Sequence, residues 1–458
     1  MPLLLRRFFL VVVGLAYAQR IKATFGILEG NGTTYPHSGL FYHWEDVSTQ
    51  STNALVISLF GVEPFGNDLA YDPKTKLLFI IGGGPDAFTW KGSVYALDVW
   101  RSLVPLSTRL DSIGARRLAV KDTLLLVTRS RAPYFTAYRI SYDPQTRTLA
   151  LDSLWSPISP LLRSVPDGLL LWGDTAFITI SYNASSYASD SLVVGINLQT
   201  RQVFASWQVF RNPTELVRIK DSLYVACYGD FGNNLRIARI VPSQSTVQIW
   251  DAGYQSFGGF TTDTSGVRDT ILFWSSDGAL RAFDVKTGQT APTPYLGLAS
   301  GGAPFFNYGL LWVGSQLWMS FTNYTDTSLI ILRDPNRLPP PPHLDTLFVA
   351  NGIGGIGYPA LRRFIYVEDD TVRSTPTALA ATALEEGLLH YQSAAGVLIW
   401  TGSSTPIDIT VWNPVGQVVR RGERGEKRLY VGDLAAGVYV ATATDERGRR
   451  ITYRFWKP

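Results

Sequence analysis

A short phrase, a polar turn followed by an apolar run, recurs through most of the chain and narrows its possible folds more than any other feature. It reads Thr75-Lys76-Leu77-Leu78-Phe79, Asp122-Thr123-Leu124-Leu125-Leu126, Asp174-Thr175-Ala176-Phe177, Asp221-Ser222-Leu223-Tyr224, Asp269-Thr270-Ile271-Leu272-Phe273 and Gly314-Ser315-Gln316-Leu317-Trp318. Its starts, at 75, 122, 174, 221, 269 and 314, lie 47, 52, 47, 48 and 45 residues apart. One further step back falls on Leu28, inside the strand-like Phe25-Gly26-Ile27-Leu28, so about seven units precede the prolines at 339–342.

Each unit carries the same signals: an apolar strand, an Asp/Gly turn, the phrase, a polar loop, another strand such as Ser93-Val94-Tyr95-Ala96-Leu97-Asp98, and a weaker outer strand. Four strands at this period predict a propeller blade, because a sheet with two apolar faces is covered only by neighbours on both sides and a closed circle removes exposed edges. A β-helix repeats at much shorter periods, and paired sandwiches show no such regular phrase. The expected fold is all-β, a β-propeller of about seven blades over 19–338, followed by a small antiparallel β-sandwich over 400–458. Residues 339–399 read as a proline-rich linker. Within them Asp345-Thr346-Leu347-Phe348-Val349 copies the phrase at a spacing of 31, as a closing strand or the start of a linker domain. Helical periodicity is confined to a brief stretch at 377–389.

The first residues have the pattern of an export signal. Arg6-Arg7 precede an apolar run from Phe8 to Leu15, and Ala16-Tyr17-Ala18 supplies the small-x-small site of a signal peptidase. A signal peptide over 1–18 and a mature chain from Gln19 are expected. The apolar run is shorter than the roughly 20 residues that span a bilayer, and no later stretch is long enough, so no transmembrane segment is expected in the mature chain. Charged residues make up 17% and aromatics 13%, the balance of an exported β-protein rather than a disordered or coiled one. A formal charge of +4, or +2 without Arg6 and Arg7, is too small to point to nucleic acid. The single cysteine, Cys227, sits in an apolar strand without a nearby histidine and reads as a small buried hydrophobe.

Two regions resemble known families. The repeat region, roughly 22–335, resembles the YncE-like propellers of bacterial exported proteins, through Ile27-Leu28-Glu29-Gly30-Asn31-Gly32 and Phe65-Gly66-Asn67-Asp68-Leu69-Ala70-Tyr71. Some members of that group capture small ligands at the cell surface. The tail resembles the type A sorting domain of type IX secretion, through Asp408-Ile409-Thr410-Val411-Trp412-Asn413, Gly416-Gln417-Val418-Val419, Leu434-Ala435-Ala436-Gly437-Val438-Tyr439-Val440 and Arg454-Phe455-Trp456-Lys457. The family's Pro-Asn-Pro entry phrase is missing, and Pro458 follows the terminal lysine. The resemblance implies passage through the periplasm, engagement of the type IX machinery by this tail, and a final place outside the cell or on its outer surface. It assigns recognition to Gly437, Tyr439 and Lys457.

Chemistry is harder to find. His37, His43, His343 and His390 share no metal-ligand spacing with cysteine or carboxylates, so neither a metal nor a cofactor is expected. Gly82-Gly83-Gly84-Pro85-Asp86 leaves a strand for a turn rather than opening a helix, and no nucleophile elbow appears. No catalytic residue is assigned. Propeller geometry brings the loop after each second strand and the loop into the next inner strand to one end of the ring. Trp90, Tyr228, Asp230, Asn233, Trp250, Tyr254, Asp277 and Tyr295 fall in those loops or beside them. Aromatic platforms with Asp/Asn partners suit a polyhydroxylated or planar ligand, a small molecule or glycan. The sequence reading is therefore a monomeric secreted or surface-displayed binding module. A lactonase- or lyase-type propeller enzyme, which requires carboxylates or a metal converging in the central channel, and an adhesion or scaffold protein are the alternatives.

Overall fold

The computed structural model describes residues 18–28, 38–46, 51–59, 62–63, 65–83, 91–99, 105–162, 165–183, 186, 188–230, 233–256, 258–263, 268–297, 309–314, 316–321, 328–333, 345–350, 361–372, 389–392, 397–400, 406–412, 417–435, 437–445 and 450–457. All but the last residue of the signal peptide read from the sequence lie outside them, as does the helical stretch except Leu389, which opens a strand. The described residues are all-β, with no helix among them, and fall into two compact units, Gln19–Thr371 and a C-terminal one from Val372.

The larger unit is a β-propeller. Its described strands form seven successive antiparallel sheets, most of four strands in chain order. The first strands of neighbouring sheets, Leu69–Asp72, Ala115–Lys121, Val165–Trp172, Pro213–Ile219, Gly258–Thr262 and Leu310–Val313, lie against one another in turn and form the inner ring. Each recurring phrase opens or immediately precedes the second strand of its sheet. The turn before it is two residues long in three sheets, and its first residue is left-handed, Asp122 (φ 56°), Gly173 (φ 58°) and Lys220 (φ 54°), as is Gly314 (φ 52°) at the matching place in the last sheet. Such tight loops match the right-handed twist of the strands they join. The turn between third and fourth strands is a second device. Asp143 Oδ1 accepts the Gln145 amide at 2.8 Å, Asn197 Oδ1 accepts the Gln199 and Thr200 amides at 2.9 Å, and Asp284 Oδ1 accepts that of Lys286 at 2.8 Å. These side chains close their own turns.

Alternation along the second strands explains the radial packing. In Leu77–Gly82 every residue is buried. Leu78 and Ile80 join Phe25, Ile27 and Leu40 of the sheet before, while Leu77, Phe79 and Ile81 join Leu125, Val127 and Tyr138 of the sheet after. The same division recurs around the ring, with Ile178 packed toward one neighbour and Phe177 toward the other, and Val225 and Tyr224 likewise. Burying each such side chain favours folding by roughly 1.5–3 kcal/mol. The outermost strands Gln202–Gln208 and Thr246–Asp251 are mostly exposed or half-buried, which is why their sequence signal is weak.

The first sheet differs in its make-up. Ala18–Leu28, Gly39–Asp46 and Ser51–Ser58 are joined on their inner side by Leu361–Val372, from the end of the unit. The unit thus extends to Thr371, past the boundary at 338 read from the proline run. Asp345–Ala350, the late copy of the phrase, is the fourth strand of the last sheet, beside Ser328–Arg333, rather than the closing strand. Its irregular spacing follows, since elsewhere the phrase leads into second strands. Phe364 on the closing strand meets Phe41 of the first sheet (centroids 6.5 Å apart) and Trp318 of the last (6.5 Å), and these two rings lie 6.0 Å apart.

The C-terminal unit has a three-stranded sheet (Leu389–Gln392, Val397–Trp400, Arg428–Tyr430) and a four-stranded one (Val418–Arg421, Pro406–Trp412, Gly437–Asp445, Arg450–Lys457). Leu398 and Leu429 from the first pack with Ile409, Val411, Tyr439, Ala441 and Ala443 from the second, the core of a small sandwich.

Candidate functional site in the axial channel

Charged residues gather where the inner strands begin. Asp68 stands just ahead of Leu69–Asp72, Arg116 and Arg117 open the next inner strand, and Asp167, Glu215 and Arg363 stand near the starts of three more. Arg363 Nε lies 2.8 Å from Asp68 Oδ1 and its Nη1 3.0 Å from Glu215 Oε2. Asp68 Oδ2 accepts the Leu118 amide at 2.7 Å. Arg116 Nη2 is 2.8 Å from Asp167 Oδ1, and Arg117 Nη2 is 3.5 Å from both Asp167 and Glu215. At the matching place the seventh sheet presents Leu310 and Leu311, without charge, while in the sixth the charged residue, Asp263, directly follows the inner strand that ends Phe260-Thr261-Thr262.

Beside the ring of charges is a cavity of about 300 Å³ lined from the inner strands of five sheets. Glu215, Arg218, Asp263 and Arg363 supply its charges, and Leu170, Phe260, Leu310, Leu311 and Phe364 its apolar wall. Asp68 is enclosed, its side chain 2% exposed, whereas Arg363 is 31% exposed and reaches the cavity. Burial pushes the Asp68 carboxyl above its ordinary value, and Arg363, Arg117 and the Leu118 amide offset only part of that. Burial works against the charge of Arg363, but Asp68 and Glu215 outweigh it and hold the guanidinium above the usual arginine value. The arrangement can hold a charged ligand group in a partly dehydrated place, where an ion pair is stronger than in bulk water.

The residues singled out from sequence sit elsewhere. Trp90 lies outside the described residues. Tyr228, Trp250 and Tyr254 pack against one core between the fifth and sixth sheets. Trp250 stacks on Tyr224 (centroids 6.5 Å apart, planes at 11°). Burial, then Glu215, raises the Tyr228 phenol well above its ordinary value; its hydroxyl lies by Thr214 and Ser256. Tyr254 lies under Arg281, whose guanidinium carbon is 3.8 Å from the ring centroid and whose Nη2 is 2.5 Å from Asp277. Tyr295 is buried with Trp274 and Leu280 in the next core. Asp230 and Asn233 share one exposed turn, where Asp230 accepts from Ser189 at 2.8 Å and Arg211 at 2.6 Å, and Asn233 donates to the Asp230 carbonyl at 2.9 Å. Hydrogen bonds from Ser189 and Arg211 lower the Asp230 carboxyl. In the C-terminal unit Gly437 faces Lys457 across the strand pair and Tyr439 faces Phe455; the Tyr439 hydroxyl donates to the Ala435 carbonyl at 2.9 Å.

Sequence reasoning found no converging carboxylates, yet Asp68, Asp167 and Glu215 converge, each with an arginine. The signal was positional. A charged residue stands five to seven places before the phrase in five repeats, at Asp68, Arg116 and Arg117, Asp167, Glu215 and Asp263.

No protein-family model matches the chain, and no curated protein does. Among solved structures it is similar to apo AztD from Citrobacter koseri, at 10% identity over 77% of this chain and 99% of that one, with a TM-score of 0.44. It is also similar to the RRP9 WD40 repeats, at 12% identity over 79% and 92% (TM-score 0.44), and to the computationally designed Ika8 protein, at 10% over 85% and 96% (TM-score 0.39). Likenesses this distant carry nothing about ligand or activity, and the propeller is established by the chain's own sheets and inner ring.

Proposed function

We propose that this chain is an exported binding module whose propeller takes a ligand in its axial channel. In this reading the N-terminal segment is a signal peptide, the propeller is YncE-like with about seven blades, and the C-terminal sandwich is the type IX sorting domain, with Gly437, Tyr439 and Lys457 in recognition. The mature protein acts outside the cell or on its outer surface, as a monomer. The observation that carries the binding reading is the cavity lined by five inner strands, which combines the charged Glu215 and Arg363 with the apolar Leu170, Leu310 and Leu311. Pockets that combine apolar lining with a few fixed polar groups are the usual form of a small-ligand site. No helix among the described residues is long and apolar enough to cross a membrane.

Two measurements test this. Intact mass spectrometry of protein from the medium and cell surface of its host is expected to give a chain starting at Gln19 and lacking the tail; a periplasmic product that retains Lys457 overturns the sorting assignment. A thermal-shift screen of metabolites and glycans is expected to yield a saturable ligand that loses affinity when Leu311→Trp fills the channel. A ligand indifferent to that change would place the site elsewhere, on the loop face for example.

A further inference from the structure

The channel cavity also has a sign. Five guanidiniums, Arg116, Arg117, Arg218, Arg268 and Arg363, stand in it or in the ion pairs that border it, against four carboxylates, Asp68, Asp167, Glu215 and Asp263. Each carboxylate is within ion-pair distance of an arginine. Arg218 is different: it gives its Nε to the Lys220 carbonyl at 2.8 Å, lies over the Trp172 ring, and has no carboxylate partner among the described residues. Arg363 spends Nε on Asp68 and Nη1 on Glu215, which leaves Nη2 without a partner among the described residues. The uncompensated charge at the cavity is therefore positive, and a guanidinium nitrogen is open to receive an anion.

The apolar part of the lining selects what the anion is attached to. Leu170, Leu310 and Leu311 are half-buried and present carbon, and about 300 Å³ is near the lower limit of small-molecule sites. A group with two negative charges would lose more hydration here than one excess guanidinium returns, whereas a singly charged carboxylate on a compact apolar body suits both the charged and the apolar lining. We propose that the axial cavity binds a small monocarboxylate, its carboxylate on Nη2 of Arg363 and its apolar body against Leu170, Leu310 and Leu311. This rests on the channel reading above and names its ligand class.

The test is calorimetric titration of the full chain with phenylacetate, benzoate and hexanoate, and with phenylacetamide as a neutral isostere. Phenylacetate is expected to bind, the amide to bind at least about tenfold more weakly through loss of a charge-assisted hydrogen bond, and Leu311→Trp to abolish binding. Arg363→Lys keeps the charge and is expected to weaken the acid more than the amide. The acid-amide comparison needs no variant and so survives a variant that fails to fold. Equal affinity for acid and amide, or no binding of any acid at millimolar concentration, overturns the proposal. If no acid binds but a screened ligand is lost in Leu311→Trp, the carboxylate assignment alone falls. If acids bind and Leu311→Trp leaves them unaffected, the channel reading falls with it.

Discussion

Arg363, on the last strand of the propeller unit, lies 2.8 Å from Asp68, which stands before the first strand of the second sheet. The same guanidinium reaches Glu215 of the fifth sheet, so one side chain from the closing strand ties two distant parts of the inner ring. Removing it takes the paired guanidinium from Asp68 and leaves Glu215 with Arg117 alone. Arg363→Gln is expected to lower stability by about 3–5 kcal/mol, the usual cost of breaking a buried pair from one side. Urea unfolding of the full chain measures this.

Asp68 behaves differently because burial raises its carboxyl. A carboxyl raised in the folded state stabilises while protonated; that contribution is complete below the unfolded value of 3.8 and is lost as pH rises through the higher folded value. Asp68→Asn imitates the protonated form at every pH. The stability difference between the two proteins is expected to move in favour of the variant as pH climbs from below 3.8 toward neutrality. A difference that is flat with pH, or moves the other way, contradicts this.

Gly288 is held at φ 69°, and a Cβ there would overlap the Trp250 indole. Gly278 has φ 80° with open space around it. Gly288→Ala is expected to cost clearly more than Gly278→Ala, whose penalty is about 1 kcal/mol from the backbone alone. Paired thermal melts, with tryptophan fluorescence to follow Trp250, test the ordering.

Cys227 is wholly buried, and burial pushes its thiol up to about 12. In the native protein it is expected to resist alkylation at pH 8 and to react fully in denaturant. Fast labelling without denaturant would mean that the core between the fourth and fifth sheets opens readily.

A chain ending at Thr371 is expected to melt with one cooperative propeller transition, while one ending at 338 lacks both Asp345–Ala350 and Leu361–Val372 and is expected to lose it. Differential scanning calorimetry of the two distinguishes the observed boundary from the one read from sequence.

Much of the fold was legible because its cause is local. The phrase repeats since a tight turn must be followed by a strand apolar on both faces, and Asp221-Ser222-Leu223-Tyr224, leading into Ser222–Cys227, carries both requirements in its own residues. The phrase at Asp345 was ambiguous because a fourth strand in the last sheet and a second strand in a new one begin alike. The closing strand was hidden for another reason: Leu361–Val372 pairs with residues at the far end of the unit, and nothing in Arg362-Arg363-Phe364 announces it. The channel charges lie about one repeat apart and become a cluster only when the ring closes. Tyr295 and Trp250 have the composition of a binding face, but burial, which sequence position alone does not reveal, places them in cores.

The mixed parentage of the first sheet also bears on how the molecule is made. A chain synthesised from its N-terminus presents Ala18–Leu28 with a bare inner edge until the final strand of the propeller arrives. During that interval an unpaired edge is a template for any matching strand, including the Leu361–Val372 strand of a second copy. At high concentration a domain-swapped dimer is the natural misassembly of this architecture, its exchanged element confined to that one strand. Each swapped half would still draw its ion pairs from Asp68 and Glu215, now across two chains.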